Sequence, residues 1–387
     1  MGITFQFATA SRILFGNQVR FQITEKVRPF GKKAFLLSGS HPERIDWLSA
    51  MLIEAKFEID SAPVSGEPEI SNVLKTVERA RRFNAEFVIA VGGGSVLDTG
   101  KVVAAMLTNH EPLENYLEVI GGGKSLTRRP VPFVAVPTTA GTGTEVTKNA
   151  VICSSEHKIK VSMRHEWMIP DLAVIDPGLT LSLPAELTAT TGLDALTQLI
   201  EPFVSSMRNP LTDGICREGL FRAASSLEQV FHHLDDSLAR ENMAIASLFS
   251  GIALANAGLG AVHGFAGPMG GMFGIPHGLL CARFLPPVIT MNVQRLSALQ
   301  NGQQIDRFHE LGRILTGRPG STADDAVRWI KDLCETLKIP PLSNYDIARE
   351  SFDEIIEKAR RASSMRGNPV VLRDDDLIQI LNSAVYE

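Results

Sequence analysis

The stretch EFVIAVGGGSVLDTGKVVAAML, residues 86–107, decides how the rest of the chain is read. Its first half is an apolar run, its second half has helical spacing, and Gly92, Gly93, Gly94 and Ser95 separate the two. A continuous apolar run is the signature of a strand buried on both faces, the condition of a parallel sheet covered by helices. A strand-to-helix turn stripped of Cβ atoms lets backbone N–H groups approach an anion, and the helix N-terminus adds a partial positive charge. The expectation is a pyrophosphate cradle. Glycine also serves tight turns that hold no ligand, and the GxGxxG fingerprint is absent after the first strand.

Outward from this stretch, β-rich runs alternate with amphipathic helical patterns: KKAFLLSG (32–39), ERIDWLSAMLIEA (43–55) and SNVLKTVERARRF (71–83) before it, with further strand candidates at PFVAVPTT (132–139), KIKVSM (158–163) and LAVIDP (172–177). The start, MGITFQFATASRILFGNQ (1–18), alternates like a strand or hairpin. After Pro177 long helical periodicities take over, ending in DDLIQILNSAV (375–385). Gly178 and Pro184 punctuate the change. The expected architecture is an α/β Rossmann-like dinucleotide-binding domain over 1–180 and an all-α domain over 181–387. The length of 387 residues and 44% hydrophobic content suit two domains.

A net charge of −5 gives no general pull toward nucleic acid or anionic membranes. Aromatic residues make up only 6% of the chain and no basic cluster is interleaved with rings, so base-stacking platforms are not expected. The four cysteines, Cys153, Cys216, Cys281 and Cys334, form no CxxC pair and are expected to be reduced core residues. No segment resembles a signal peptide, and none reaches the roughly 18 apolar residues of a membrane span. A cytoplasmic protein without membrane or nucleic-acid partners is expected.

A second glycine-rich loop, VPTTAGTGTEVTKNAV (136–151), places Thr138, Thr139, Thr142, Thr144, Thr147 and Asn149 beyond a strand. These groups can line a nucleotide or form a plain surface loop. In TGLDALTQLIEPFV (191–204), Asp194 and Gln198 stand i,i+4 on one helix face among apolar residues. His263 and His277 lie in the apolar, glycine-rich GAVHGFAGPMGGMFGIPHGLLCA (260–282), where Pro276 predicts a fresh helix start. Asp194, His263 and His277, with an oxygen from Gln198, make a donor set for Zn²⁺ or Fe²⁺. Each residue also has a structural explanation, as a helix cap or a satisfied core histidine.

Taken together and in order, GGGSVLDTGK (92–101), PTTAGTGTEVT (137–147), PDLAVIDPGLT (170–180), TGLDALT (191–197) and GIPHG (274–278) resemble the iron-containing (group III) alcohol dehydrogenase family, whose architecture is that of the dehydroquinate synthases. The resemblance implies a nicotinamide cofactor in the cleft between the domains and commonly a homodimer. It places Gly93, Gly94, Ser95 and Asp98 at the cofactor, with Gly93, Gly94 and Ser95 on the pyrophosphate. Thr138, Thr139 and Thr142 would flank the adenine and ribose, and Asn149 and Lys160 would contact the nicotinamide-side ribose. The four metal positions fall on Asp194, Gln198, His263 and His277, and the second is a histidine in most members. Gln198 can coordinate, can leave Asp194, His263 and His277 as a three-ligand site, or can hydrogen-bond its neighbours in a metal-free site.

Two further departures concern substrate and cofactor. Where many members carry a histidine one turn past His263, this chain has Gly267, which opens space bordered by Met269, Met272 and Phe273. Where NAD-preferring relatives carry an Asp, the segment LLSGSHPER (36–44) has Gly39, so NADP is expected to be accepted alongside NAD, with Arg44 nearby. The expected reaction is metal-assisted hydride transfer between an alcohol and an aldehyde or ketone, with Asp194, His263 and His277 as its catalytic residues. The alternatives are a lyase resembling dehydroquinate synthase, and a nucleotide-binding protein whose metal site has degenerated.

Overall fold

The apolar runs between residues 33 and 175 build a sheet whose two faces are both buried. In chain order the elements are β1 (Ile13–Phe15), α1 (Ile23–Val27), β2 (Lys33–Ser38), α2 (Asp46–Glu54), β3 (Glu58–Pro63), α3 (Ile70–Phe83), β4 (Phe87–Gly92), α4 (Gly94–Thr108), β5 (Phe133–Pro137), β6 (Asn149–Ser154), β7 (Ile159–Arg164) and β8 (Leu172–Ile175). This computed structural model describes residues 4–157 and 159–386. Six strands pair in the order β1-β8-β5-β4-β2-β3, all parallel.

The period of two along each strand sorts side chains between two cores. Phe35, Leu37, Val88, Ala90, Phe133 and Ala135 pack with α3 and α4, through Val73, Val77, Leu97 and Val102. Ala34, Leu36, Phe87, Ile89, Val134 and Val136 pack on the other face with α1 and α2, through Ile23, Val27, Leu48 and Leu52. Such double burial explains why β2, β4 and β5 read as continuous apolar runs rather than as alternating ones.

Two strand expectations are met, each with a pairing partner that the sequence left open. The N-terminal stretch forms no hairpin among the described residues, because Ile13–Phe15 pairs in parallel with the distant β8. The KIKVSM segment does form a strand from Ile159, but it leaves the main sheet and joins β6 in a separate antiparallel ribbon. Lys158 and residues 1–3 lie outside the described residues.

The ribbon is tied to α4 by buried charge. Lys101 Nζ donates to Thr147 O (2.7 Å), Thr147 Oγ1 (2.8 Å) and Asn149 O (2.9 Å). One turn earlier, Asp98 Oδ2 accepts the Val151 N–H at 3.0 Å. Burial drives the Asp98 carboxyl up and the Lys101 ammonium down, and their mutual attraction works against both shifts.

The helical part comprises α5 (Ala185–Val204), α6 (Pro210–His232), α7 (Ser237–Ala257), α8 (Ala261–Phe273), α9 (His277–Ala298), α10 (Gly302–Thr316), α11 (Ala323–Thr336), α12 (Phe352–Arg361) and α13 (Asp374–Tyr386). Every residue of α5 from Gly192 to Val204 is buried, including Asp194, Thr197, Gln198 and Glu201. The chain divides into two units, one of Thr9–Thr139 with Gly143–Leu181 and one of Ser182–Glu387 with Ala140–Thr142 and the segment ending at Ala8. No single helix among the described residues is long and apolar enough to cross a membrane.

Replacing Lys101 by Met strands the Thr147 and Asn149 carbonyls and removes the cation beside Asp98. The variant is expected to lose about 3 kcal/mol of unfolding free energy. Urea denaturation followed by circular dichroism measures this, and an unchanged midpoint would show that the network contributes nothing.

Candidate functional site

In the sheet unit the expected cofactor residues gather at the carboxyl ends of neighbouring strands. Gly39 follows β2, Gly93 and Gly94 follow β4 and open α4, and Thr138 and Thr139 follow β5. From β2 the chain continues to β3 on one side, whereas β4 continues to β5 on the other. The strand order therefore reverses between β2 and β4, and open α/β sheets bind ligands in the crevice at that point.

The local geometry is that of an anion cradle. Gly93 is the N-cap of α4, and the first turn of this helix contains no acidic residue to offset its positive end. A Cβ on Gly92 would fall 2.4 Å from Val96 Cγ2, so the sharp turn requires glycine. A Cβ on Gly93 would sit 3.4 Å from Thr139 Cγ2, which brings the two loops into contact, and the Thr138 N–H donates to Gly92 O at 3.0 Å. Around Gly39 a Cβ would meet nothing within 4 Å.

Four other expected cofactor residues are placed differently. Asp98 is turned to the β6 backbone, with its Oδ2 occupied by Val151. Lys160 pairs with Glu67 Oε1 at 2.9 Å and its side chain is only 9% exposed. Asn149 and Lys160 are not brought side by side: Lys160 stands opposite Cys153, four residues along β6 from Asn149, which is about 13 Å of strand. Thr142 belongs with the helical unit.

In the helical unit, Asp194 comes from the middle of α5, so it is no helix cap. His263 comes from the first turn of α8, and His277 is the first residue of α9. Pro276 is the N-cap of α9, the fresh start that the sequence implied. A Cβ on Gly278 would lie 2.6 Å from Thr190 O, so glycine lets α9 begin hard against α5. The consequence is convergence: Nε2 of His263 lies 3.4 Å and Nε2 of His277 lies 3.6 Å from Asp194 Oδ1.

The hydrogen bonding shows what the group requires. Glu201, two turns after Asp194 on α5, meets His263 Nδ1 at 2.6 Å with Oε2 and accepts the Val262 N–H at 2.7 Å with Oε1. A proton on Nδ1 is thereby committed to Glu201, and Nε2 presents a lone pair. That lone pair faces Asp194 Oδ1, a buried acceptor with no hydrogen-bond partner among the described residues. Acceptors facing one another in a buried place call for a cation, and a carboxylate with two imidazoles is a donor set that suits Zn²⁺ or Fe²⁺.

Electrostatics agree. Burial opposes ionisation of Asp194, yet His277, His263 and Gln198 hold its carboxyl down at about 2. Burial likewise opposes a charged His263, but Cys281, Glu201 and Asp194 raise it well above its usual value. Without a cation a second proton on His263 Nε2 answers the carboxylate, and a bound cation takes the place of that proton.

Gln198 is buried one turn past Asp194, and its Oε1 accepts from Ser250 Oγ at 3.5 Å. The donor that joins the other three is Cys281, and the four ligand atoms lie within 4.8 Å of one another. The sequence pattern marks Cys281 only as a core thiol. It is free and buried, as expected, but its sulfur reaches the cluster, and the overlooked signal was its i,i+4 spacing from His277. Glu201 was overlooked as well, although it follows Asp194 by seven residues on the same helix face.

Beyond His263, a Cβ on Gly267 would meet nothing within 4 Å, so this position is open. Met269, expected to border that space, is fully buried in the helical core, while Met272 and Phe273 are partly buried against it. Asp194, His263 and Cys281 are buried, whereas the His277 side chain is 35% exposed, so the cluster is reached from the His277 side.

Comparison with known proteins finds matches over almost the whole chain. Residues 10–177 match the family described as iron-containing alcohol dehydrogenase, and residues 188–385 match the Fe-containing alcohol dehydrogenase family, C-terminal. Alcohol dehydrogenase 4 of Saccharomyces cerevisiae is 33% identical over 323 residues, covering 83% of this chain and 81% of that protein. The NADPH-dependent butanol dehydrogenase of Clostridium saccharobutylicum is 32% identical over 377 residues, 92% of each chain. A crystal structure of 1,3-propanediol oxidoreductase superposes with a TM-score of 0.91 at 30% identity, covering 99% of this chain and 100% of that one. The chain belongs to the iron-containing alcohol dehydrogenase family.

Proposed function

We propose that this chain catalyses reversible hydride transfer between an alcohol and a nicotinamide dinucleotide, assisted by a divalent cation at Asp194, His263 and His277. The observation that carries the reading is the unpartnered Asp194 Oδ1 facing the imidazole nitrogens of His263 and His277. When bound, the cation supplies Lewis-acid polarisation of the substrate oxygen, and the nicotinamide supplies or accepts the hydride. A relative acting on butanol and a structural neighbour acting on 1,3-propanediol support small alcohols and their aldehydes as the substrate class.

The protein's own contributions are binding and orientation. The α4 N-terminus and the Gly92–Gly94 turn hold the dinucleotide's pyrophosphate. Asp194 supplies the negative charge that keeps the cation in place, and Glu201 fixes the tautomer and ring plane of His263. Gly267 offers no proton-carrying side chain one turn beyond His263, so the product oxygen takes its proton from water or a cofactor ribose hydroxyl. The same glycine leaves room for a larger substituent on the reacting carbon.

Elemental analysis paired with NADPH oxidation, before and after chelation, tests the reading directly. Stoichiometric divalent metal and loss of aldehyde reduction on stripping are expected, with recovery on adding Zn²⁺ or Fe²⁺. Undiminished turnover in metal-free protein would sink it. Glu201→Gln keeps the side-chain shape but removes the charge that orders His263. Metal affinity should fall by roughly 10- to 100-fold, read by competition with a chromophoric chelator; an unchanged affinity would assign Glu201 a packing role only.

The open space at Gly39 supports acceptance of NADP, since neither a side chain nor a carboxylate stands there to repel a 2′-phosphate. Gly39→Asp should reduce kcat/KM for NADPH relative to NADH by at least about tenfold, through like-charge repulsion at close range. Equal ratios in both proteins would place the ribose elsewhere.

A further inference from the structure

We infer that Cys281 is the fourth protein ligand of the metal, taking the place that Gln198 leaves, so that Asp194, His263, His277 and a Cys281 thiolate make up the protein's share of the shell. This inference rests on the cation-assisted reading above. Cys281 stands one turn after His277 on α9, with its Sγ 3.6 Å from His277 Nε2 and 3.7 Å from His263 Nε2. A tetrahedral ion with bonds of about 2.3 Å to sulfur and about 2.0–2.1 Å to nitrogen holds those atoms about 3.6 Å apart. Oxygen and nitrogen ligands at about 2.0 Å stand about 3.3 Å apart in the same geometry, close to the 3.4 and 3.6 Å found between Asp194 Oδ1 and the two imidazoles.

The alternatives explain these contacts less well. One S–H can be donated to only one of the two imidazoles that approach Sγ, and neither such bond satisfies the unpartnered Asp194 Oδ1. Gln198 is the weaker candidate for the fourth place because a neutral amide oxygen is a poorer donor than a thiolate to a borderline-soft ion. A divalent ion with ionised Asp194 and Cys281 is electrically neutral, whereas an amide ligand would leave one positive charge. The thiolate therefore favours retention of a borderline-soft ion such as Zn²⁺ and lowers the net charge acting on the substrate oxygen.

Substitution of Co²⁺ into the purified full-length protein provides a readout independent of activity. The wild-type protein is expected to show visible ligand-field bands together with a near-ultraviolet thiolate-to-cobalt charge-transfer band. Cys281→Ser should keep the ligand-field bands, lose the charge-transfer band and bind Zn²⁺ at least about tenfold more weakly, because losing a direct ligand costs no less than losing an outer-shell partner. Gln198→Ala should keep the charge-transfer band. Ligand-field bands without thiolate charge transfer in the wild type would overturn the inference while leaving the cation-assisted reading intact. Survival of the band in Cys281→Ser, or its loss in Gln198→Ala, would overturn the inference in the same way. Absence of any Co²⁺ binding by the wild type would overturn both. The wild-type spectrum keeps the test decisive even if a variant fails to fold.

Discussion

A carboxylate buried in the middle of a helix is the constraint around which the helical unit is arranged. Asp194 sits where α5 is enclosed on all sides, and an ion taken out of water without compensation costs several kcal/mol. Compensation comes from α8 and α9, which bring His263 and His277 to the same oxygen. The arrangement is then completed from behind, because Glu201 gives His263 a fixed tautomer and ties the α8 backbone to α5 through Val262. Removing the charge would leave two imidazoles and a thiol packed together for no evident gain in stability.

The sheet unit solves a related problem with backbone rather than side chains. Its anion cradle stands at the reversal of strand order, where the ends of β2 and β4 part and the N–H groups of α4 are open to a ligand. The buried Lys101 and Asp98 brace this backbone. They bind α4 to the loop after Gly143 and to β6, and so hold the cradle's helix in register with the sheet. A polar residue inside a glycine-rich motif can thus brace the ligand-binding backbone.

Gln198 and Cys281 belong to one adjustment. The family resemblance puts an imidazole at position 198; here an amide stands there, and sulfur approaches from the opposite helix. The donor count is kept while the charge and softness of the set change. Such an exchange across two helices costs little in packing, because both side chains are buried in any case.

The amino-acid sequence by itself determined the two-part architecture, since apolar strands at βα spacing admit only a helix-covered parallel sheet, and the periodicities after Pro177 admit only helices. It also marked the glycine turn and, through the family resemblance, Asp194, His263 and His277 as a candidate donor set, and packing brings those three side chains together. Tertiary structure alone decided the rest. The pairing of β1 with β8 and the separation of the β6–β7 ribbon depend on contacts far apart in the chain, which no local pattern encodes. That Cys281 faces the cluster, that Gln198 turns to Ser250 and that Lys160 pairs with Glu67 follow from how helices and strands rotate when they pack. A spacing of four residues says that two side chains share a face, and only packing says what that face meets.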